Sequence, residues 1–201
     1  LDQRADVTVG QPQGHAQPGN AHFATLAEAV EYVARTLQPT SGLSGQYRRI
    51  KVIGPTLEDN AKLPIRPQVQ GLIIEGAARR QDGVNVTDEA EIVWRGAGAP
   101  ALFDLSGCTG LVMRDLMFRY DDDATTSAVA RERCLFTCDY QTGGVNLADA
   151  LFENLRLQGP AHGFFYVNDD IDANTGFDRV TFRNCVAKDL TDFAIWCDST
   201  V

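Results

Sequence analysis

The sequence of 201 residues lacks any run of about 18 apolar residues, so no segment could cross a bilayer as a helix. Its first residues, LDQRADVTVG, lack the basic-then-apolar order of a signal peptide. Basic residues are few and scattered, and the formal net charge is −9. A surface of that sign repels a nucleic-acid backbone. The sequence therefore predicts neither a membrane span nor a nucleic-acid partner.

An even set of cysteines in a short chain, typical of a secreted disulfide framework, is also missing. The three histidines are dispersed, and no second ligand pair follows the two cysteines of CLFTC, so a structural zinc site is not indicated. The cysteines lie in apolar, strand-like segments, which favours buried free thiols. They are Cys108, Cys134, Cys138, Cys185 and Cys197.

One helix is predicted, over residues 25–38. Thr25 and Glu28 form a capping box, and apolar residues recur after them at helical spacing. Pro39 disfavours a helical conformation in the residue before it, which ends the helix. The apolar positions are Leu26, Ala29, Val30, Val33 and Leu37.

After this helix the pattern is that of short strands, and none of them is joined by an Asn-Gly hairpin turn, which is unusual for an antiparallel meander. Gly, Asp, Asn and Thr separate the strands. The predicted strands are 49–53, 72–75, 91–94, 101–105, 111–118, 134–139, 151–157, 164–168, 180–187 and 194–198.

The stretches MRDLMF, FENLRL and FRNCVA share one pattern, and IIEG carries an earlier version of it. The copies are 39, 39 and 30 residues apart. Aligned, they give an apolar column, a column of alternating charge, and a column of types that tolerate a left-handed bend. The columns are Ile74, Met113, Phe152 and Phe182; Glu75, Arg114, Glu153 and Arg183; and Gly76, Asp115, Asn154 and Asn184.

This repeat predicts a solenoid. The repeating unit consists of a strand, a sharp bend, a strand, a loop, a strand and a loop. One such unit cannot bury its apolar side alone, whereas stacked copies share a continuous interior. Parallel stacking puts equivalent residues about 4.8 Å apart, where alternating charges attract and like charges repel. Loops of different length explain the unequal spacing.

From residue 7 onward the chain resembles the pectin lyase-like superfamily of right-handed parallel β-helices. The segments that carry the resemblance are VTVG, HFATLAEAVEYV, YRRIKVIGPTLEDNAKLPI and LIIEG, similar to the opening of pectinesterases and bacteriophage tailspikes. The resemblance implies an all-β solenoid with one N-terminal capping α-helix. We expect an extended lead-in over 1–22 and a single β-helix domain over 23–201, with stacked coils from about 48 and a continuation beyond residue 201.

The catalytic signatures of pectinesterases, polygalacturonases and pectate lyases are not intact, and only TDFAIW, with Asp192, is faintly similar to one of them. Whether the chain is an enzyme stays open at this point. Two carboxylates flanking a sugar can serve as acid and base for glycoside cleavage. The candidates are Asp169 or Asp170 with Asp192 or Asp198 one coil on; the alternative is a solvated turn.

The segment DIDANTG is similar to a calcium loop, with oxygen ligands at Asp170, Asp172 and Asn174. Its glycine comes one residue late, and Thr181 stands where a bidentate glutamate is expected. An ordinary Asn/Asp turn is the alternative reading. No other cofactor is predicted.

Aromatic residues suggest a glycan site. If Ile195 and Cys197 face inward, Trp196 faces solvent, and Tyr166 lies on the adjacent coil with His162 nearby. Flat aromatic side chains flanked by carboxylates suit sugar rings. The alternative is that a loop or a partner chain covers Trp196.

The leading hypothesis is a tailspike-like virion or extracellular surface protein, structural and glycan-recognising, whose partner is a polysaccharide or cell-surface glycan. The tailspike likeness implies a homo-oligomer, by analogy a trimer. One alternative is a polysaccharide-degrading hydrolase or lyase with a carboxylate groove. The other is a structural spacer or decoration protein that binds no ligand.

Overall fold

The computed structural model describes residues 7–11, 21–36, 48–59, 64–77, 79–81, 84–86, 90–95, 101–121, 134–139, 147–159, 163–169, 177–190 and 193–199. One helix and twenty strands occupy these ranges. In chain order they are β1 (Val7–Val9), β2 (Ala21–Phe23), α1 (Leu26–Thr36), β3 (Arg48–Val52), β4 (Thr56–Asp59), β5 (Leu72–Gly76), β6 (Arg79–Gln81), β7 (Val84–Val86), β8 (Glu91–Arg95), β9 (Ala101–Asp104), β10 (Val112–Arg114), β11 (Met117–Tyr120), β12 (Cys134–Asp139), β13 (Leu147–Ala148), β14 (Leu151–Glu153), β15 (Arg156–Gln158), β16 (Gly163–Asp169), β17 (Phe177–Asp178), β18 (Thr181–Arg183), β19 (Val186–Lys188) and β20 (Phe193–Ser199).

Most of these strands belong to three separate parallel sheets. The first has the order β18-β14-β10-β5-β3-β1-β2, the second β19-β15-β11-β8-β4, and the third β20-β16-β12-β9. From β10 onward the chain visits the first, second and third sheet in turn, and each strand pairs in parallel with its counterpart one pass earlier. The prediction of a mostly parallel β-structure with a single helix is confirmed.

The predicted columns are in register. Met113 pairs with Ile74 on one side and Phe152 on the other, and Phe152 pairs with Phe182. The first three of these side chains are fully buried. A shift of one residue would turn each of them to solvent, so burial of this column fixes the register of the first sheet.

The alternating charges form the ion pairs that the pattern predicts. Arg114 Nη2 lies 2.5 Å from Glu75 Oε2, and Arg183 Nη2 lies 2.6 Å from Glu153 Oε1. Arg49 adds a contact of 3.3 Å to Glu75 from the preceding strand. Because these pairs are partly exposed to solvent, each adds little to the stability of the fold. Their larger effect is to disfavour a pairing that sets like charges side by side.

The bend after each strand of the first sheet is left-handed at three of the four predicted positions. Asp115, Asn154 and Asn184 have φ of 55°, 52° and 53°. Asn154 Nδ2 donates to Asp115 Oδ1 at 2.9 Å, and Asn184 Nδ2 donates to Asn154 Oδ1 at 3.3 Å. Gly76 differs, because it continues β5 and a Cβ there would lie 2.0 Å from the Asp115 carbonyl oxygen. Glycine is therefore needed at position 76 because another part of the backbone lies so close to it, and not because its own backbone is left-handed.

A second left-handed column, which the sequence reading missed, comes just before the strands of the first sheet. Gly71 and Gly110 have φ of 69° and 68°, and Asp149 and Arg179 have φ of 53° and 55°. Arg179 compensates for an unfavourable backbone conformation by an ion pair, with its Nε 2.5 Å from Asp149 Oδ1. From the pass that contains β10 onward, each pass thus has left-handed residues at two fixed positions around its strand of the first sheet.

Helix α1 packs against β1, β2, β3 and β4 at one end of the first two sheets. Four of its five predicted apolar positions are buried, and the fifth lies outside the described residues. The capping box is confirmed, since Thr25 and Glu28 each accept a bond from the other's backbone N–H at 3.3 Å. Within the described ranges, no helix is both long enough and apolar enough to span a membrane.

The interior behind the three sheets is rich in phenylalanine. Phe136 is fully buried, and its ring centroid lies 5.0–6.2 Å from five other phenylalanine rings. Those neighbours come from all three sheets, so one ring cluster joins them. They are Phe103, Phe118, Phe152, Phe164 and Phe165.

Candidate functional site

The predicted aromatic pair lies on the third sheet. Within β16, Phe165 and Val167 are buried and Tyr166 between them is only half-buried, because successive strand residues point to opposite faces. Tyr166 pairs in register with Trp196 of β20, at the parallel-strand spacing of about 4.8 Å. The structure therefore brings the two residues to neighbouring positions on successive passes.

The same column continues toward earlier passes as Thr137 and Asp104, both buried. Asp104 Oδ1 accepts bonds from the Ser106 hydroxyl at 2.6 Å and the Ser106 backbone N–H at 3.1 Å. Arg66 Nε lies 3.0 Å from the other carboxylate oxygen. Tyr166 is thus more exposed than Thr137 and Asp104 in the same column, and Asp104 has a structural role.

Of the carboxylate candidates, the structure describes Asp169 in β16 and Asp198 in β20. Asp169 pairs in register with Ser199, and Asp198 pairs with Asn168, so the two are not register partners. Asp170, Asp192 and His162 lie outside the described residues. Paired carboxylates for glycoside cleavage thus stay a prediction at these positions.

The calcium hypothesis also stays a prediction. Asp170, Asp172 and Asn174 all lie outside the described residues. In the part of the chain that the structure does describe, no group of three or more His, Cys, Asp or Glu side chains could hold a metal ion.

A cleft of about 650 Å³, which the sequence reading missed, lies between the N-terminal elements and the outer face of the second sheet. Arg95 donates from Nε and Nη2 to Asp121 Oδ2 at 2.9 and 2.6 Å, and Arg119 Nε donates to Glu91 Oε1 at 2.7 Å. His22 and the exposed Leu57 complete its rim. The cleft therefore combines side chains of both charge signs with an apolar edge.

Electrostatics limits what chemistry the cleft performs. The hydrogen bonds and charge of Arg95 hold the pKa of Asp121 below its usual range. Asp121 is therefore ionised at neutral pH and cannot act as the protonated acid that glycoside cleavage needs. The alignment of EIVWR with MFRYD could have found this cluster, since Trp94 and Tyr120 are register partners and precede Arg95 and Asp121.

The structure describes the side chains of four cysteines. Cys108, Cys134, Cys138 and Cys185 are free thiols, as predicted, and the first three are buried. Burial raises the pKa of Cys108 to about 12, with a smaller contribution from nearby Asp104. A thiol with that pKa is protonated at neutral pH and unreactive.

Comparison with known proteins adds no relative: no protein-family model, no curated protein and no solved structure matches the chain.

Proposed function

We propose that the three sheets wind into a right-handed parallel β-helix of the pectin lyase-like type, and that the chain is a tailspike-like surface protein that recognises a glycan. The repeated order of first, second and third sheet supports the coil. Crossovers between parallel strands are right-handed in nearly all proteins, which supports the hand. The lead-in of VTVG, a capping helix and LIIEG supports the family.

The observation that carries glycan recognition is the register of Tyr166 with Trp196. Two residues further along the same strands, Asn168 pairs with Asp198, so aromatic and polar residues follow each other at one edge of the third sheet. Sugars offer apolar ring faces for stacking and hydroxyl rims for hydrogen bonds. A pair of aromatic residues beside an amide and a carboxylate complements both features.

The proposed role is binding without cleavage. Asp104 is buried and satisfied by Ser106 and Arg66, and Asp121 is ion-paired. Because its pKa is lowered by Arg95, Asp121 is not available as a general acid. The proposal places the protein on a virion or another extracellular surface, as a structural homo-oligomer.

A glycan-array screen followed by a titration tests the proposal. Trp196→Ala is expected to weaken binding of any hit at least tenfold, the effect typical of removing an aromatic anchor from an interface. The matched control is Tyr32→Ala on α1, because Tyr32 is an exposed aromatic residue far from the third sheet in sequence and should leave the affinity unchanged.

Incubation of the hit with the protein separates the alternatives. An unchanged glycan length together with loss of binding in Trp196→Ala supports recognition without chemistry. Shortening of the glycan that stops in Asp169→Asn with Asp170→Asn would instead establish a hydrolase or lyase. Absence of any hit would favour the structural spacer.

A further inference from the structure

The cleft between the N-terminal elements and the second sheet has a wall made of two closely packed backbone segments. Gln11, which follows β1, donates its backbone N–H to the Pro55 carbonyl oxygen at 3.2 Å. A Cβ on Gly10 would lie 2.2 Å from the Gly54 carbonyl oxygen, so glycine is needed for this close contact. A ligand therefore meets a preformed wall, which lowers the entropy cost of binding.

The second sheet contributes two arginines and two acids to the cleft, so this group carries no net charge. Arg119 Nε donates to Glu91 Oε1 at 2.7 Å. Arg95 donates from two nitrogens to Asp121 Oδ2. An anion would meet arginines that already have acidic partners and would be repelled by those acids, and a cation would be repelled by the arginines. The charges therefore favour a neutral ligand.

Arg119 and Asp121 also place a donor and an acceptor side by side. Their hydrogen bonds described above use Arg119 Nε and Asp121 Oδ2, whereas Arg119 Nη1 lies 3.8 Å from Asp121 Oδ1, too far for a direct hydrogen bond. One hydroxyl oxygen about 2.8 Å from each atom would bridge them, accepting from Nη1 and donating to Oδ1. An amide has its donor and its acceptor on different atoms, so this pair favours a hydroxyl group.

An apolar surface lies in register with the same arginine. Leu57 of β4 pairs with Val93 of β8, and Val93 pairs with Arg119 of β11. Leu57 is 47% exposed, and all three residues line the cleft. A sugar ring has an apolar face and a rim of hydroxyl groups. The cleft offers a partner for each of them, an aliphatic side chain and a donor–acceptor pair.

We infer that this cleft binds a short, neutral saccharide, with one hydroxyl group between Arg119 and Asp121 and an apolar ring face against Leu57. The volume of about 650 Å³ lies within the range of small-molecule sites, roughly 300–1,000 Å³. The cleft lies on the second sheet, so it is a separate site from the one proposed at Tyr166 and Trp196 on the third, and the inference does not rest on that proposal.

Nuclear magnetic resonance titrations of the 201-residue protein test this inference. The probes are maltose, cellobiose and trehalose, three neutral disaccharides that differ in linkage. At millimolar concentration, at least one of them should shift the Leu57 methyl and Arg119 side-chain N–H signals. Inorganic phosphate at the same concentration should shift neither. The indole signal of Trp196 reports separately on the third sheet, so failure of either site is seen on its own.

Three variants test the contacts. Arg119→Met should weaken binding about tenfold, the effect of losing a hydrogen bond to a charged group. The matched control is Arg156→Met, an exposed arginine of the same sheet that does not line the cleft, and its affinity should be unchanged. Leu57→Ala should weaken binding roughly threefold. Because Leu57 is exposed, that variant keeps its fold even if Arg119→Met does not.

Three results would overturn the inference. The first is that none of the disaccharides shifts the cleft signals, and the second is that only phosphate shifts them. The third is that a disaccharide binds Leu57→Ala and every folded Arg119 variant as tightly as it binds the unmodified protein.

Discussion

Replacing Phe136 with alanine should lower the free energy of unfolding by about 3–5 kcal/mol, the range observed when a buried phenylalanine is truncated. Phe136 is fully buried and packs against rings from all three sheets, so the cavity cannot close by movement of one strand. Urea denaturation followed by circular dichroism measures the change.

Phe182→Ala is the matched control for this substitution. Phe182 also packs against other phenylalanine rings, and its ring stacks on that of Phe152 at 5.0 Å and 13°, but it is only half-buried. Because part of its surface is already in water, we expect about half the loss seen for Phe136. Equal losses for the two variants would mean that the ring cluster is not the shared core of the sheets.

Replacing Glu58 with alanine should destabilise the fold by about 1–3 kcal/mol, since it removes the acceptor for two helix N-terminal N–H groups. Glu58 lies on β4 and is buried, and its carboxylate accepts bonds from Leu26 N at 2.5 Å and Ala27 N at 3.2 Å. It therefore joins α1 to the second sheet. Glu28→Ala removes only the exposed member of the capping box and should have a smaller effect.

The pH dependence of stability tests the state of Glu58. Burial raises its pKa in the folded protein above the usual value, and bonds from Leu26 and Ala27 oppose that shift only in part. The folded state then binds a proton more tightly than the unfolded state. This contribution is fully present below the unfolded pKa, near 4.5, and is lost as pH rises through the higher folded value.

Glu58→Gln removes this titration while keeping one oxygen acceptor for the helix. Unfolding free energies measured from pH 4.5 to pH 7 should therefore fall more steeply for the unmodified protein than for Glu58→Gln. Parallel curves for the two proteins would show that the Glu58 pKa is not raised by burial.

The repeat was predictable because it depends on short-range patterns. Aligning MRDLMF, FENLRL and FRNCVA by sequence alone gives the register that the first sheet has in the structure. The opposite charges of Arg114 and Glu153 support the same alignment. The capping box likewise predicted the start of α1. The capping box and each copy of the repeat are only a few residues long, so they can be recognised without knowledge of the fold, and the copies can then be aligned across the 30 or 39 residues between them.

Features that depend on distant contacts were missed. Nothing near Glu58 indicates that it caps a helix 31 and 32 residues earlier, and strand β4 itself was not predicted. The antiparallel strands β6 and β7 were also missed, although Asp82–Gly83 between them is a common hairpin dipeptide. The predicted strands 111–118, 151–157 and 180–187 are each divided in two by a left-handed residue.

For the candidate site, the alternation of strand residues between two faces in FFYVN and AIWCD was enough to place Tyr166 on the opposite face from Phe165. It also suggested that Trp196 lies next to Tyr166 on the following pass. Alternation alone does not indicate the cleft with Arg95 and Asp121, although aligning EIVWR with MFRYD would have indicated its charged residues. Its walls come from β2, β4, β8 and β11 and from the residues that follow β1, so they combine elements of the first and second sheets that are distant in sequence.

Parallel, in-register stacking of the repeated strands is the central claim, and nuclear Overhauser contacts test it most directly. The structure predicts ring contacts between Phe152 and Phe182, and a parallel pattern of backbone contacts linking Met113 with Phe152. Strong Hα–Hα contacts between these strands would indicate antiparallel pairing. Either that result or a register shifted by one residue, which would turn Phe152 to solvent, would contradict the account.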